Sequence, residues 1–162
     1  MAEIETAAST LLELCRGRGW CLATAESCTG GLIAGALTAI AGSSDVVEGG
    51  LVTYSNASKT LLLGVRADLI ERVGAVSAEV ARAMADGALA RLPGADLAIS
   101  VTGIAGPGGA TPGKPVGLVH FGLARRDGTV ECHQEVFPGD RDAVRRSAVL
   151  QALQLMQVFA LR

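Results

Sequence analysis

Apolar positions along the chain follow two alternating periods. Ile4, Ala7, Ala8, Leu11, Leu12 and Cys15 fall at helical spacing on one side, which predicts an amphipathic first helix ending near Gly17 and Gly19. Trp20 to Thr24 reads as a short buried strand, and Leu32, Ile33, Ala36, Leu37 and Ile40 restore the helical spacing until Ala41-Gly42-Ser43-Ser44 breaks it. In the segment 46–55 the strand character lies at Leu51, Val52, Thr53 and Tyr54, because Gly49 and Gly50 weaken the first half. Asn56 or Ser58 is placed to cap a short helix through Leu63, and Ala67 to Val73 makes another helical piece. Ser77 caps a longer helix with Val80, Met84, Ala88 and Leu92 on one face, stopped by Pro93-Gly94. Ala95 to Val101 is the continuous apolar run of a strand covered on both faces. Leu118 to Ala124 and Val130 to Phe137, separated by a turn containing Asp127-Gly128, predict a hairpin; Asp140 then caps a final helix with Val144, Ala148, Ala152, Leu155 and Phe159 inward.

This alternation, closed by a hairpin, predicts an α/β fold: a single three-layer α/β/α domain over residues 1–162, with a mixed sheet and a C-terminal antiparallel hairpin. Composition agrees, since 49% hydrophobic residues against 19% charged suffice for a full core. Abundant Ala and Gly with 3% aromatics imply helices packed closely on the sheet. A net charge of −2 without long runs of either sign carries no nucleic-acid footprint. No window reaches the roughly 18 uninterrupted apolar residues of a spanning helix, and Met1 to Ala8 lacks a signal-peptide pattern; the expectation is a cytoplasmic chain without membrane contact. Cys15, Cys21, Cys28 and Cys132 are not in paired spacing, and with two histidines they make neither a zinc site nor a disulfide framework. No cofactor or metal is expected. The Ala-rich composition and the long apolar last helix are compatible with a homo-oligomer.

Four places carry candidate chemistry. The turn Ala25-Glu26-Ser27-Cys28-Thr29-Gly30-Gly31 joins a strand to a helix, where free N–H groups and the dipole favour an anion or a serine nucleophile; capping is the simpler alternative. Ser43-Ser44, Thr53-Tyr54-Ser55 and Lys59 place hydroxyls and a lysine around a strand, and a desolvated lysine can serve as the base for a serine. Thr102 to Gly117, with six glycines, three prolines and Lys114 as its only charge, is a loop following a buried strand, suited to an anion nest or an oxyanion hole. Arg141, at the start of the last helix, is placed to clamp a phosphate or carboxylate. His120 reads as a packed strand residue and His133 as a solvated one, which disfavours a Ser-His-Asp arrangement.

The strings Thr-Ala-Glu-Ser-Cys-Thr-Gly-Gly (24–31), Gly-Ser-Ser (42–44), Val-Thr-Tyr-Ser-Asn-x-x-Lys (52–59), Gly-Ala-Val-Ser (74–77), Val-Thr-Gly-Ile-Ala-Gly-Pro-Gly-Gly (101–109) and Gly-Asp-Arg (139–141) resemble the CinA C-terminal domain family over nearly the whole chain. The resemblance implies a nicotinamide mononucleotide deamidase of the stand-alone form, without metal, working through a serine and a lysine. Lys59 matches the lysine. Ser44 and Ser27 both match serines of the family's site, with Ser44 put first as nucleophile, and Tyr54 completes the catalytic group. Glu26, Thr29, Gly30, Gly31, Thr102, Gly103 and Arg141 are the expected substrate-binding positions. The alternative is a catalytically silent nucleotide-binding or interaction module linked to competence or DNA damage.

Overall fold

Helix ends fall where the sequence supplies a capping residue or a glycine that tolerates a left-handed backbone. In the computed structural model, which describes Met1 to Arg162, α1 (Ala2–Arg18) ends on Gly19 at φ 67°. The chain continues through β1 (Leu22–Glu26), α2 (Leu32–Thr38), a 3-10 turn at Ser43–Asp45 and β2 (Val47–Val52). Three helices follow, α3 (Asn56–Leu63), α4 (Ala67–Val73) and α5 (Ala78–Arg91), then β3 (Leu97–Gly103), β4 (Leu118–Arg125), β5 (Val130–Val136) and α6 (Arg141–Leu161). Ser77 and Asp140 cap α5 and α6 as their positions predict, accepting from Val80 N at 3.3 Å and Ala143 N at 2.9 Å. Helix α3 is capped by Ser55 rather than Asn56 or Ser58, its hydroxyl accepting from Ser58 N at 3.1 Å.

The five strands form one sheet in the order β2-β1-β3-β4-β5, with β1 parallel to β2 and β3, and β4 antiparallel to β3 and β5. This is the expected mixed sheet with its closing hairpin. Helices α1, α2 and α6 cover one face against Leu22, Ile99, Val101, Phe121 and Leu123. Helices α3, α4 and α5 cover the other, where the sheet presents Ala23, Ala25, Ala98 and Ala124. Small side chains on that second face bring α5 very close. A Cβ added at Gly122 of β4 would stand 2.2 Å from the Ala81 carbonyl oxygen of α5. No helix is long and apolar enough to cross a membrane.

Two strands differ from the sequence expectation. Strand β1 runs two residues later than Trp20 to Thr24, because Leu22 N takes the Val46 carbonyl and opens the ladder there. Strand β2 occupies the glycine-bearing half of its segment and excludes Thr53 and Tyr54. At Gly50 a Cβ would lie 2.5 Å from Thr24 Oγ1 and 3.2 Å from Ala34 Cβ, so glycine here permits close approach rather than breaking the strand. Thr53 N–H still donates to Glu26 O at 2.8 Å, but the strand ends there because the Thr53 and Tyr54 carbonyls turn to the Lys59 side chain of α3.

Gly122→Ala is expected to destabilise the protein by about 1–3 kcal/mol through overpacking against the α5 backbone. Gly35→Ala, on exposed helix with nothing within 4 Å of the new Cβ, is expected to stabilise it by about 0.5–1 kcal/mol. Urea unfolding midpoints at constant m-value check both.

Candidate active site

Strands β1, β2 and β3 run parallel, and their carboxyl ends lie together, the usual place for a ligand on an open α/β sheet. Ser27 is the first residue after β1; its N–H donates to Val101 O at 2.9 Å, so β3 sets its height above the sheet. Lys59 sits on the second turn of α3, on the buried face it shares with Leu63. A helical side chain leans over the preceding turn, which carries the Lys59 amine back toward the exit of β2. There Nζ lies 2.9 Å from Ser27 Oγ, 2.8 Å from Thr53 O and 3.5 Å from Tyr54 O.

Lys59 is 1% exposed and makes no salt bridge. Burial, which disfavours the charged form, holds its pKa below the ordinary lysine value. In the neutral amine two N–H groups suit the two carbonyls, leaving the lone pair to accept the Ser27 O–H. A neutral amine so placed can take a proton from a serine. The neighbouring thiol does not compete: burial pushes Cys28 up to about 11, so it stays protonated at neutral pH.

The turn after Ser27 is built differently from the open anion cradle its sequence suggests. Glu26 is 1% exposed, and its carboxylate accepts from Thr29 Oγ1 at 2.7 Å, Ile33 N at 2.8 Å and Ala34 N at 3.0 Å. Since Gly31, the N-cap of α2, has no side chain, Glu26 reaches across to cap the helix. The Glu26 carboxylate and the Thr29 hydroxyl therefore bond within the turn instead of standing open, and of these two residues only the Thr29 backbone N–H is left unpaired. They saturate each other and the helix N-terminus. Gly30 and Gly31, at φ 59° and 100°, reverse the chain so that this cap can form. Free donors remain closer to the serine: the N–H groups of Cys28 and Thr29 bond to no protein acceptor.

Other expected residues divide into those brought together and those kept apart. Arg141 spans the site, donating from Nη1 to Gly106 O at 2.8 Å and from Nη2 to Tyr54 Oη at 2.9 Å. It thereby ties the exit of β2 to the glycine-rich loop without a carboxylate partner. Thr102 is buried and donates to Ala75 O at 2.9 Å, and Gly103 lies against β4, where a Cβ would be 2.9 Å from Leu118 O. The Thr102 hydroxyl hydrogen is thus taken by a backbone carbonyl, and Gly103 allows the close packing of β3 on β4.

Ser44 is not beside Lys59. It lies exposed in the 3-10 turn before β2, next to Asp45, which pairs with Arg16 at 2.9 Å. Strand β2 separates it from the site by roughly 17 Å at ~3.3 Å per residue. Within this chain Lys59 meets Ser27 and not Ser44, because the two serine motifs sit at opposite ends of the sheet.

One further residue at the site belongs to no motif of the sequence. Arg145 of α6 donates from Nε to Cys28 O at 3.1 Å and from Nη2 to Thr29 O at 3.3 Å. Its sequence signal was position, four residues after Arg141 and so one turn along the same helix face.

Residues 4–159 match the CinA C-terminal domain family. A nicotinamide-nucleotide amidohydrolase of Enterobacter agglomerans is 53% identical over 139 residues, covering 86% of this chain and 84% of that protein. A CinA-like protein of Mycolicibacterium vanbaalenii is 54% identical over 147 residues, 91% of this chain but 34% of its own length. The chain thus spans about a third of such CinA-like relatives. The crystal structure of a competence/damage inducible protein from Agrobacterium tumefaciens superposes with a TM-score of 0.94 at 45% identity, covering 99% of this chain and 96% of that one.

Burial of Lys59 also makes stability depend on pH. A folded-state pKa below the unfolded value means that folding expels a proton, so Lys59 makes stability rise with pH from its folded pKa up to the unfolded value of about 10.4. Lys59→Met is expected to lose that rising contribution and to gain on the wild type as pH falls through the window. Urea denaturation of both proteins across pH measures the difference directly.

Proposed function

The chain belongs to the CinA C-terminal domain family, and on that footing we propose that it hydrolyses the carboxamide of nicotinamide mononucleotide to nicotinic acid mononucleotide and ammonia through a serine–lysine mechanism. The observation that carries the mechanism is a buried lysine without a carboxylate, its Nζ 2.9 Å from Ser27 Oγ and flanked by two backbone carbonyls. The amidohydrolase name of the Enterobacter agglomerans relative supports the substrate.

Neutral Lys59 accepts the Ser27 proton as Oγ attacks the carboxamide carbon. The free N–H groups of the Cys28–Thr29 segment stabilise the oxyanion that forms. Collapse of the tetrahedral intermediate breaks the C–N bond, and Lys59 returns the proton to the departing nitrogen, which leaves as ammonia. Water then attacks the acyl-enzyme, its proton passing to Lys59 and on to Ser27 Oγ as the acid is released. In this reading Arg141 and the glycine-rich loop hold the phosphate; the guanidinium is already oriented there without a neutralising carboxylate. Tyr54, fixed at its hydroxyl by Arg141 and at its carbonyl by Lys59, borders the nicotinamide. In this reading the reaction is cytoplasmic and proceeds without nucleic acid or metal.

Ammonia release from nicotinamide mononucleotide tests the assignment. Ser27→Ala and Lys59→Met are expected to lose about 10³-fold or more in kcat, while Ser44→Ala stays within about twofold of wild type, as for an ordinary surface change. The wild-type rate should rise with pH along a limb whose apparent pKa lies below the ordinary lysine value of about 10.4. No release by the wild type sinks the substrate; full activity in Lys59→Met sinks the mechanism alone.

A further inference from the structure

Arg145 is bound to the turn that follows the nucleophile, not to an acid. Its Nε and Nη2 reach two successive carbonyls, Cys28 O and Thr29 O, and it forms none of the protein's salt bridges. A trans peptide points its C=O and N–H in opposite directions. Turning the Cys28 carbonyl toward α6 therefore turns the Thr29 N–H away from α6, and turning the Thr29 carbonyl does the same for the Gly30 N–H. The Gly30 N–H is taken internally by Ser27 O at 3.0 Å. The Thr29 N–H is left without a protein acceptor, two residues from the serine.

The packing keeps this arrangement in one register. A Cβ at Gly30 would lie 3.3 Å from Arg145 Nη2, so glycine leaves the room that the guanidinium fills. Arg141 and Arg145, one helical turn apart, each grip one glycine-rich segment: Arg141 the loop at Gly106, Arg145 the turn at Cys28–Thr29. A cation on a carbonyl also polarises the peptide and strengthens its N–H as a donor.

We propose that Arg145 is a positioning residue for the hydrolysis, pinning and polarising the Cys28–Thr29 peptide so that the Thr29 N–H is an oxyanion donor. The inference rests on the serine–lysine reading of Ser27 and Lys59. Because the donor acts on the charge that develops in the transition state, the loss belongs in kcat and not in KM.

The test compares wild type, Arg145→Met and Arg145→Lys for ammonia release from nicotinamide mononucleotide and for binding of phenylboronic acid, followed by boron NMR. The boronic acid takes the Ser27 oxygen as a fourth ligand at boron, its proton passing to Lys59, and the anionic tetrahedral boronate places a boron-bound hydroxyl oxygen where the oxyanion forms; it probes the turn whatever the natural substrate is. Removing a single oxyanion donor costs ~10²–10³ in rate, so misaligning one is expected to lower kcat by roughly 10- to 100-fold in Arg145→Met, with KM unchanged and boronate affinity weakened in parallel. Arg145→Lys keeps the charge but reaches one carbonyl, and should fall between, at roughly 3- to 10-fold. A raised KM with kcat preserved overturns the inference and makes Arg145 a substrate-binding residue. Unchanged kcat and boronate affinity overturn it outright. If Arg145→Met does not fold, wild-type values in Arg145→Lys overturn it. A wild type that binds boronate but releases no ammonia overturns only the substrate assignment, and the boronate series alone then judges Arg145. A wild type that binds no boronate overturns the oxyanion turn and this inference with it.

Discussion

A lysine amine buried against backbone carbonyls constrains everything around it. Lys59 is enclosed on α3 with Thr53 O, Tyr54 O and Ser27 Oγ as its polar neighbours, and burial favours its neutral form. The two carbonyls are available because β2 stops at Val52. Ser55 then caps the helix at once, so Lys59 falls where its side chain folds back over that exit. The end of one strand, one cap and one buried helical position together bring an amine against the Ser27 hydroxyl.

The serine is held from the other side by an internal solution to a common problem. A helix N-terminus leaves unpaired donors, and a substrate anion is one way to satisfy them. Here Glu26 does so, immersed between β1 and α2. With the helix end satisfied in this way, the N–H groups of Cys28 and Thr29, next to Ser27, stay open together with that of Gly31, while the Cys28 and Thr29 carbonyls accept from Arg145. On the opposite wall Arg141, without a carboxylate partner, joins Tyr54 to the glycine-rich loop.

The two faces of the sheet serve this site unequally. On the α1, α2 and α6 side large side chains such as Leu22, Ile99 and Phe121 make a deep core. The other side is paved with alanines, and α5 approaches closely enough that Gly122 admits no side chain. The same tightness joins α3 to α5, since a Cβ at Gly87 would meet the Leu63 carbonyl at 2.1 Å. The helix bearing Lys59 is thus braced at its far end by backbone contact, which holds the amine at its distance from Ser27.

The amino-acid sequence by itself determined the fold class, the order of helices and strands, the caps at Ser77 and Asp140 and the identity of the family, because these follow from hydrophobic period, capping chemistry and motif strings that are local in the chain. It also singled out Ser27, Lys59, Tyr54 and Arg141. Tertiary structure alone decided which serine meets the lysine. Ser44 and Ser27 are equivalent as residue types beside small neighbours, and only the parallel direction of β2 against β1 puts one at each end of the sheet. It likewise decided that Glu26 and Thr29 turn inward and that Thr53 and Tyr54 leave their strand. Burial and hydrogen-bond partners are properties of contacts between segments, and no local pattern carries them.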